Sequence, residues 1–287
     1  MAGPLLVVDA PSMLFRAFYA LPESIEGKDG KPVNALLGSA NLILREAEQH
    51  DPRAVVLCFG PDAADYRVEL YDGYHADRPE VPDGLAPQFA DAGAFFEAFG
   101  WIVAVSETLE ADDLLGSLAR REAEAGGTVL IMTGDRDMFQ CANESVSVLY
   151  IRTGARGAEL VDPADVKRRY GVPPELVPDF IALRGDPSDG IPGAKGIGEK
   201  TAAELLTRHG FLDAVLAGAV RESRPSVRRA LTDQGDQLRR YREIATLQDV
   251  DLKLPPDSPT DFVGAAAAAR ERGMNRLAER LEKAVAG

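Results

Sequence analysis

The sequence predicts an α/β fold: a mainly parallel central sheet with helices on both faces, followed by a helical region. Three observations carry the prediction. Short apolar runs alternate with amphipathic segments through the first half of the chain. Each run ends in a polar or glycine-bearing turn. From about residue 162 onward no further strong strand signal occurs.

The strand signals are LLVVD at 5–9, AVVLCF at 54–59, WIVAV at 101–105, TVLIMT at 128–133 and VSVLY at 146–150. All are apolar or β-branched with little alternation, the pattern of strands buried on both faces. Between them, residues 35–49, 87–99 and 111–125 have the composition and spacing of helices, the last closed by Gly126 and Gly127. Residues 71–87, with three prolines and two glycines, predict a mobile loop or short arch. The second half is punctuated by Pro and Gly. Its most basic stretch is 221–242, and residues 265–286 form an alanine-rich helical stretch interrupted at Gly273 and packed across the body.

Composition restricts the function classes. The 287 residues suffice for one core domain with an appended module, and 45 % hydrophobic with 27 % charged residues is ordinary for a globular protein. No apolar run approaches the ~20 residues of a membrane span, and the first residues have no basic leader, which predicts no membrane association and a cytoplasmic protein. Cys58 and Cys141 cannot build a disulfide framework; Cys58 reads as a small core residue. The net charge of −14 disfavours a uniformly basic nucleic-acid surface. Divalent ions in an acidic pocket nevertheless make a locally cationic one.

Carboxylates gather at strand ends and helix starts. Asp9 closes the first strand; Glu110, Asp112 and Asp113 open a helix in LEADD; Asp135 and Asp137 stand in TGDRD after the fourth strand; Asp186 and Asp189 stand in RGDPSDG. Singly, each has an ordinary explanation as a cap or turn residue. Jointly, three of the four groups fall at the carboxyl edge of a parallel sheet, where ligands bind. Such a gathering costs several kcal/mol of repulsion unless cations neutralise it. Hard oxygen donors select Mg²⁺ or Mn²⁺, and two such ions can drive phosphodiester hydrolysis. No Ser-His-Asp arrangement competes: the histidines are His50, His75 and His209, none near a nucleophile elbow.

A second motif is IPGAKGIGEKT at 191–201, followed by an amphipathic helix. Gly193, Gly196 and Gly198 permit close approach of a phosphate, Lys195 and Lys200 add charge, and the helix start at Thr201 presents free N–H groups. A helix-hairpin-helix grips a duplex backbone in this way without reading sequence. Dinucleotide binding fails because the loop follows no strand and its glycine spacing differs from GxGxxG.

On LEADDLLGSLA, TGDRD and above all ALRGDPSDGIPGAKGIGEKTA, with VDAPSMLFRAFYALP at the start, the chain resembles the bacterial and phage 5′ nucleases, or flap endonucleases, including the 5′ nuclease domain of DNA polymerase I. The resemblance runs from about residue 5 to 247, and the chain is similar to a stand-alone form. It implies a PIN-like nuclease core over residues 1–170 and a helical region over 171–287, with the helix-hairpin-helix at about 183–210 and C-terminal helices after it. It implies a first metal group of Asp9, Glu110, Asp112, Asp135 and Asp137. A second group takes Asp113, Asp186 and Asp189, with Asp137 near both. Arg16 matches a basic residue near the scissile phosphate, and Arg67 and Arg78 match basic positions beside the arch. Two or more Mg²⁺ or Mn²⁺ ions, a K⁺ at the hairpin, branched or 5′-ended DNA as partner, a monomeric state and a place in the nucleoid for replication or repair belong to the same implication.

Two positions depart from the family pattern. Phe59-Gly60 stands where the family has Phe-Asp, whose Asp is a ligand, and His75 stands where it has a phosphate-contacting Lys. Asp62, two residues on, is a candidate substitute ligand. His75 is expected to act protonated, with activity that falls as pH rises more steeply than in a His75→Lys variant; an exposed loop residue without a role is the alternative. The leading expectation is an active structure-selective 5′ nuclease. A DNA-binding paralogue with weakened catalysis and an RNase on a related fold are the competing readings.

Overall fold

The computed structural model describes residues 3–152 and 157–285. Five parallel strands, β1 (Leu5–Asp9), β2 (Ala54–Phe59), β3 (Ile102–Val105), β4 (Val129–Thr133) and β5 (Val146–Ile151), form the sheet with an antiparallel edge strand, β6 (Ala158–Val161), in the order β3-β2-β1-β4-β5-β6. The five expected strands are present, each within a residue of its expected bounds. Expectation missed β6: four residues at the sheet edge, with Leu160 half exposed.

Side chains alternate along the strands and divide the core in two. Leu5 and Val7 of β1, with Val56 and Cys58 of β2, pack under α5 (Ala111–Glu124) and the later helices α6 (Pro163–Tyr170), α7 (Val177–Arg184), α8 (Glu199–His209), α9 (Leu212–Ala217), α10 (Pro225–Asp233) and α11 (Gly235–Ala245). Leu6 and Val8, with Val55 and Leu57, face α1 (Ala10–Ala20), α2 (Asn34–His50) and α4 (Ala86–Glu97). That layer is completed by α12 (Phe262–Glu271) and α13 (Asn275–Val285), whose Ala265, Ala269 and Leu277 bury against Phe95 and Phe99. Small alanines there let a helix lie close on aromatic rings. Gly273, at φ 81°, makes the left-handed turn between α12 and α13 that a side chain would resist. Residue 286 of the expected alanine-rich stretch lies outside the described residues.

Strand order reverses between β1 and β4, so the crevice at their carboxyl ends is the topological switch point. The register pairs Val8 with Met132 and therefore sets Asp9 beside Thr133. A short α3 (Asp65–Leu70), absent from the sequence expectation, follows β2 and carries Arg67. Residues 71–87 are corrected in part. The segment is a series of turns rather than a free arch, and its start is anchored: Tyr74 and His75 are buried, and the His75 amide donates to the Asp189 carbonyl at 3.1 Å. Residues 76–81 are exposed.

Candidate metal centre and nucleic-acid interface

Asp9 is the N-cap of α1. One oxygen accepts from the Ser12 amide at 3.0 Å, and the other accepts from the Thr133 hydroxyl at 2.7 Å. The Thr133 Oγ1 in turn accepts from the Asp135 amide at 2.9 Å, and Asp135 Oδ1 accepts from the Asp137 amide at 2.8 Å. A ladder of side-chain to backbone bonds therefore stitches the end of β1 to the turn after β4 and fixes three carboxylates together. Thr133 is a positioning residue that sequence reasoning passed over, although it stands in the TGDRD motif itself.

Asp112, in the first turn of α5, joins this group from a third element. Burial pushes its carboxyl well above the usual range, and the charges of Asp9 and Asp135 push it further. Asp137 is raised likewise, by burial and then by Asp135, Asp189 and Asp186. Asp135 is pushed up to about 7 by burial, with Asp189, Asp9 and Asp186 adding to it. Asp9 is raised by burial against the help of Ser12, Thr133, Arg16 and Arg78. Asp9, Asp112, Asp135, Asp137, Asp186 and Asp189 thus feel one another's charge, which groups scattered over separate surfaces would not.

Asp186 and Asp189 arrive on a tight loop closed by reciprocal amide bonds between Asp186 and Ile191 at 2.7 and 2.8 Å. Arg184 pairs with Asp186 at 2.8 Å, and Ser188 caps the other oxygen through its amide at 2.9 Å. Asp189 is different from its neighbours. Burial opposes its charge, but the His75 hydrogen bond and charge, with Arg78 and Arg67, outweigh burial and hold its carboxyl below the usual range.

Two of the eight expected ligands, Asp113 and Glu110, pair with a cation of the chain itself. Asp113 is fully buried, with Oδ1 accepting from Arg67 at 2.9 Å and from the Gln248 amide at 2.8 Å, and Oδ2 accepting from the Glu110 amide at 3.3 Å. Glu110 accepts from the Ala64 amide at 2.8 Å on one oxygen, and from the Tyr74 hydroxyl at 3.0 Å and Arg67 at 2.6 Å on the other. Both pair with Arg67. It is 3 % exposed and lies inside the protein rather than beside an open arch. Burial works against its charge, but Glu110, Tyr74 and Asp113 raise its pKa above the ordinary value.

Asp62 does not replace the carboxylate missing at Gly60. Its side chain is 61 % exposed and pairs with Arg78 at 3.0 Å. His75 is neither an exposed loop residue nor free to reach a phosphate. Its ring stacks on Tyr74 at 3.8 Å, Nδ1 lies 2.6 Å from the Asp62 carbonyl, and Nε2 lies 3.2 Å from Asp189. Both ring nitrogens face oxygen atoms of the neighbouring segments. Arg78 reaches Asp189 at 3.3 Å, so His75 and Arg78 together moor the 186–191 loop to the 62–78 segment. Arg16 lies against Gly134, where a Cβ would come 2.2 Å from its guanidinium. Glycine at that place lets the cation cross the turn that carries Asp135.

Among the described residues, no three of these carboxylates close on a common point at ligand distance. The pocket is a gathering of repelling anions, and its donor chemistry, six carboxylates from four segments, fits hard divalent cations.

In the hairpin, Ile191, Ala194, Ile197 and Ala202 bury, and Lys195, Gly196, Gly198 and Lys200 face solvent. Gly196 and Gly198 have no atom within 4 Å of a hypothetical Cβ, leaving the backbone open to a phosphate. Thr201 is half-buried within reach of Arg224 at 3.5 Å. Gly193 is corrected: it is buried, at φ 68°, where a Cβ would meet the Gly185 amide at 2.3 Å, so it closes the loop on the end of α7. In the basic stretch 221–242, Arg224 pairs with Glu222, and Arg239 and Arg242 pair with Asp213. Among the described residues, no helix is long and apolar enough to cross a membrane.

The chain matches two adjoining family models: the 5′-3′ exonuclease N-terminal resolvase-like domain over residues 4–171, and the 5′-3′ exonuclease C-terminal SAM fold over residues 172–263. It is 40 % identical over 239 residues to a 5′-3′ exonuclease of Mycobacterium tuberculosis, covering 76 % of this chain and 74 % of that one. It is 36 % identical over 300 residues to a 5′-3′ exonuclease of Streptomyces coelicolor, covering 96 % and 98 %. Among solved structures, bacteriophage T5 flap endonuclease in a pseudo-enzyme-product complex with DNA and metal ions superposes with a TM-score of 0.71, at 18 % identity over 97 % of this chain and 98 % of that chain. That last similarity shows a shared fold.

Proposed function

The chain belongs to the 5′-3′ exonuclease family, and we propose that it hydrolyses phosphodiester bonds at DNA 5′ ends and 5′ flaps with Mg²⁺ or Mn²⁺ held by Asp9, Asp112, Asp135, Asp137, Asp186 and Asp189. The observation that carries the reading is the gathering of these six carboxylates, three of them raised by burial and then by their neighbours' charge, at the switch point of the sheet. Divalent ions bound there supply Lewis acidity toward a phosphate and toward the attacking water. The protein's own residues do the rest. Thr133 and the backbone ladder hold Asp9, Asp135 and Asp137 in mutual position. The Asp135 carboxyl gives up its proton as the pocket fills. Arg16, across the Gly134 turn, is placed to meet a phosphate entering beside Asp9. The exposed Lys195, Lys200 and the open backbone at Gly196 and Gly198 grip the duplex phosphates without reading bases.

Gly60 and His75 do not favour the weakened paralogue. Both have packing roles of their own. Cleavage of an end-labelled 5′-flap DNA with Mn²⁺ tests the proposal. Asp135→Asn is expected to reduce the rate by at least about a hundredfold, and a matched RNA flap is expected to be the poorer substrate. Equal rates for the two proteins would end it.

A further inference from the structure

We propose that the buried amide pair Asn34 and Gln88 is a positioning joint: it fixes the chain just ahead of α4 to the end of α1, and so sets how the exposed stretch between His75 and α4 lies beside the metal pocket for a 5′ flap. The proposal rests on the reading of the chain as a 5′ nuclease and deepens it, since it names residues that serve a strand extending beyond the cut.

Asn34 is 0 % exposed and Gln88 3 %. The two side chains join head to tail, with Gln88 Nε2 donating to Asn34 Oδ1 at 3.0 Å. Asn34 Nδ2 donates to the carbonyls of Phe18 at 3.0 Å and Leu21 at 2.9 Å, in the last turn of α1, where carbonyls have no helical partner. Gln88 Oε1 accepts from the amides of Ala35 at 2.8 Å and Leu36 at 3.2 Å, in the first turn of α2, whose N-cap Val33 supplies no side-chain bond. The second Gln88 Nε2 hydrogen goes to the Gly84 carbonyl at 2.8 Å. Every amide hydrogen and both amide oxygens of the pair are therefore used. A buried amide pair satisfied in this way holds one arrangement, and a half-satisfied one would destabilise it.

The joint lies where the elements around the pocket meet. Asp9 caps α1 and Arg16 stands in its middle. Phe89, next to Gln88, meets Phe15, next to Arg16, edge to face at 5.3 Å. Leu85 is fully buried, and Gly84 lies so close to the end of α1 that a Cβ would stand 2.3 Å from Glu23 Oε2 and 3.5 Å from the Phe18 ring. At the other end of the stretch, His75 and Arg78 hold Asp189. The exposed residues are thus slung between two fixed points: the acidic loop of the pocket, and the end of the helix that Asp9 opens. Residues 79–84 between them reach about 20 Å at most, so the rear point limits where the stretch can lie. A 5′ flap has a strand to pass along that stretch, and a flush 5′ end has none.

Steady-state cleavage in Mn²⁺ of a duplex with a single-stranded 5′ flap, and of the same duplex with a flush 5′ end, tests the proposal on the unsubstituted protein, Gln88→Leu and Gln88→Glu, with Tm measured for each. Gln88→Leu removes every bond of the Gln88 amide. Its kcat/KM on the flap is expected to fall at least about tenfold, with the flush end cut within about twofold of the unsubstituted rate. Gln88→Glu keeps an acceptor for the Ala35 and Leu36 amides, where a carboxylate suits the helix start, and loses the donation to Asn34 and Gly84. It is expected to show the same flap-selective loss, and it decides the question if Gln88→Leu does not fold. Equal losses on both substrates, in step with Tm, would make the pair a packing feature alone and overturn the proposal. So would flap cleavage at the unsubstituted rate in either folded variant. An unsubstituted protein that cuts neither substrate would remove the nuclease reading itself, a distinguishable failure.

Discussion

Raising the pH of the metal-free protein should destabilise it, and the pocket supplies the sign and the size. Asp135 is pushed up to about 7 from an ordinary 3.8, by burial and then by Asp189, Asp9 and Asp186. Below pH 3.8 the carboxyl is protonated in both folded and unfolded chains and contributes nothing to the difference. Between 3.8 and about 7 the folded chain holds a proton that the unfolded chain has released, so stability falls as pH rises. Above about 7 both are ionised and the loss is complete. The full difference of about three pKa units would correspond to roughly 4 kcal/mol. Asp135 is only half-buried, and water screens it, so about 1–2 kcal/mol is the realistic size. For a chain of this length that is a fall of about 3–6 °C in Tm, and Asp112 and Asp137, both raised well above their usual range, push in the same direction. The assay is scanning calorimetry in EDTA from pH 5 to 8, with a parallel series in excess Mn²⁺. The EDTA series should decline, the Mn²⁺ series should not, and Asp135→Asn should flatten the decline. A metal-free Tm that stays level or rises, with Asp135→Asn indistinguishable from the parent, would refute the reasoning.

Two further outcomes follow from packing and charge. Gly60→Asp forces a side chain into backbone that lies 2.4 Å away, and should cost roughly 1–3 kcal/mol in urea unfolding without adding a Mn²⁺ site. A stable variant with an extra ion would contradict the close contact. Replacing the exposed Lys195 and Lys200 by Ala should weaken duplex binding across all sequences and lower the salt slope by about one per lysine; an unchanged slope would place the duplex elsewhere.

The sheet was legible because its strands are buried on both faces and read as unbroken apolar runs. β6 was not, because a four-residue edge strand with half-buried Glu159 and exposed Leu160 offers neither run nor alternation. The helix α3 is six residues long, too short for a period to show. The carboxylates of the site were legible as a set, since each sits where a strand or helix boundary puts it at one edge. Which of them face cations was not. Arg67, for one, meets Glu110 and Asp113 only in the fold. His75 illustrates the same limit. A histidine at the place of a phosphate-contacting lysine reads as a phosphate contact, and only the fold brings Asp62, Tyr74 and Asp189 around it. Gly193 was misread because a glycine that admits a phosphate and one that admits a neighbouring helix end look identical in sequence.

The most direct test is the anomalous difference map of a crystal soaked in Mn²⁺. Density should appear among Asp9, Asp112, Asp135, Asp137, Asp186 and Asp189. No ion near Asp135 at all would contradict the account.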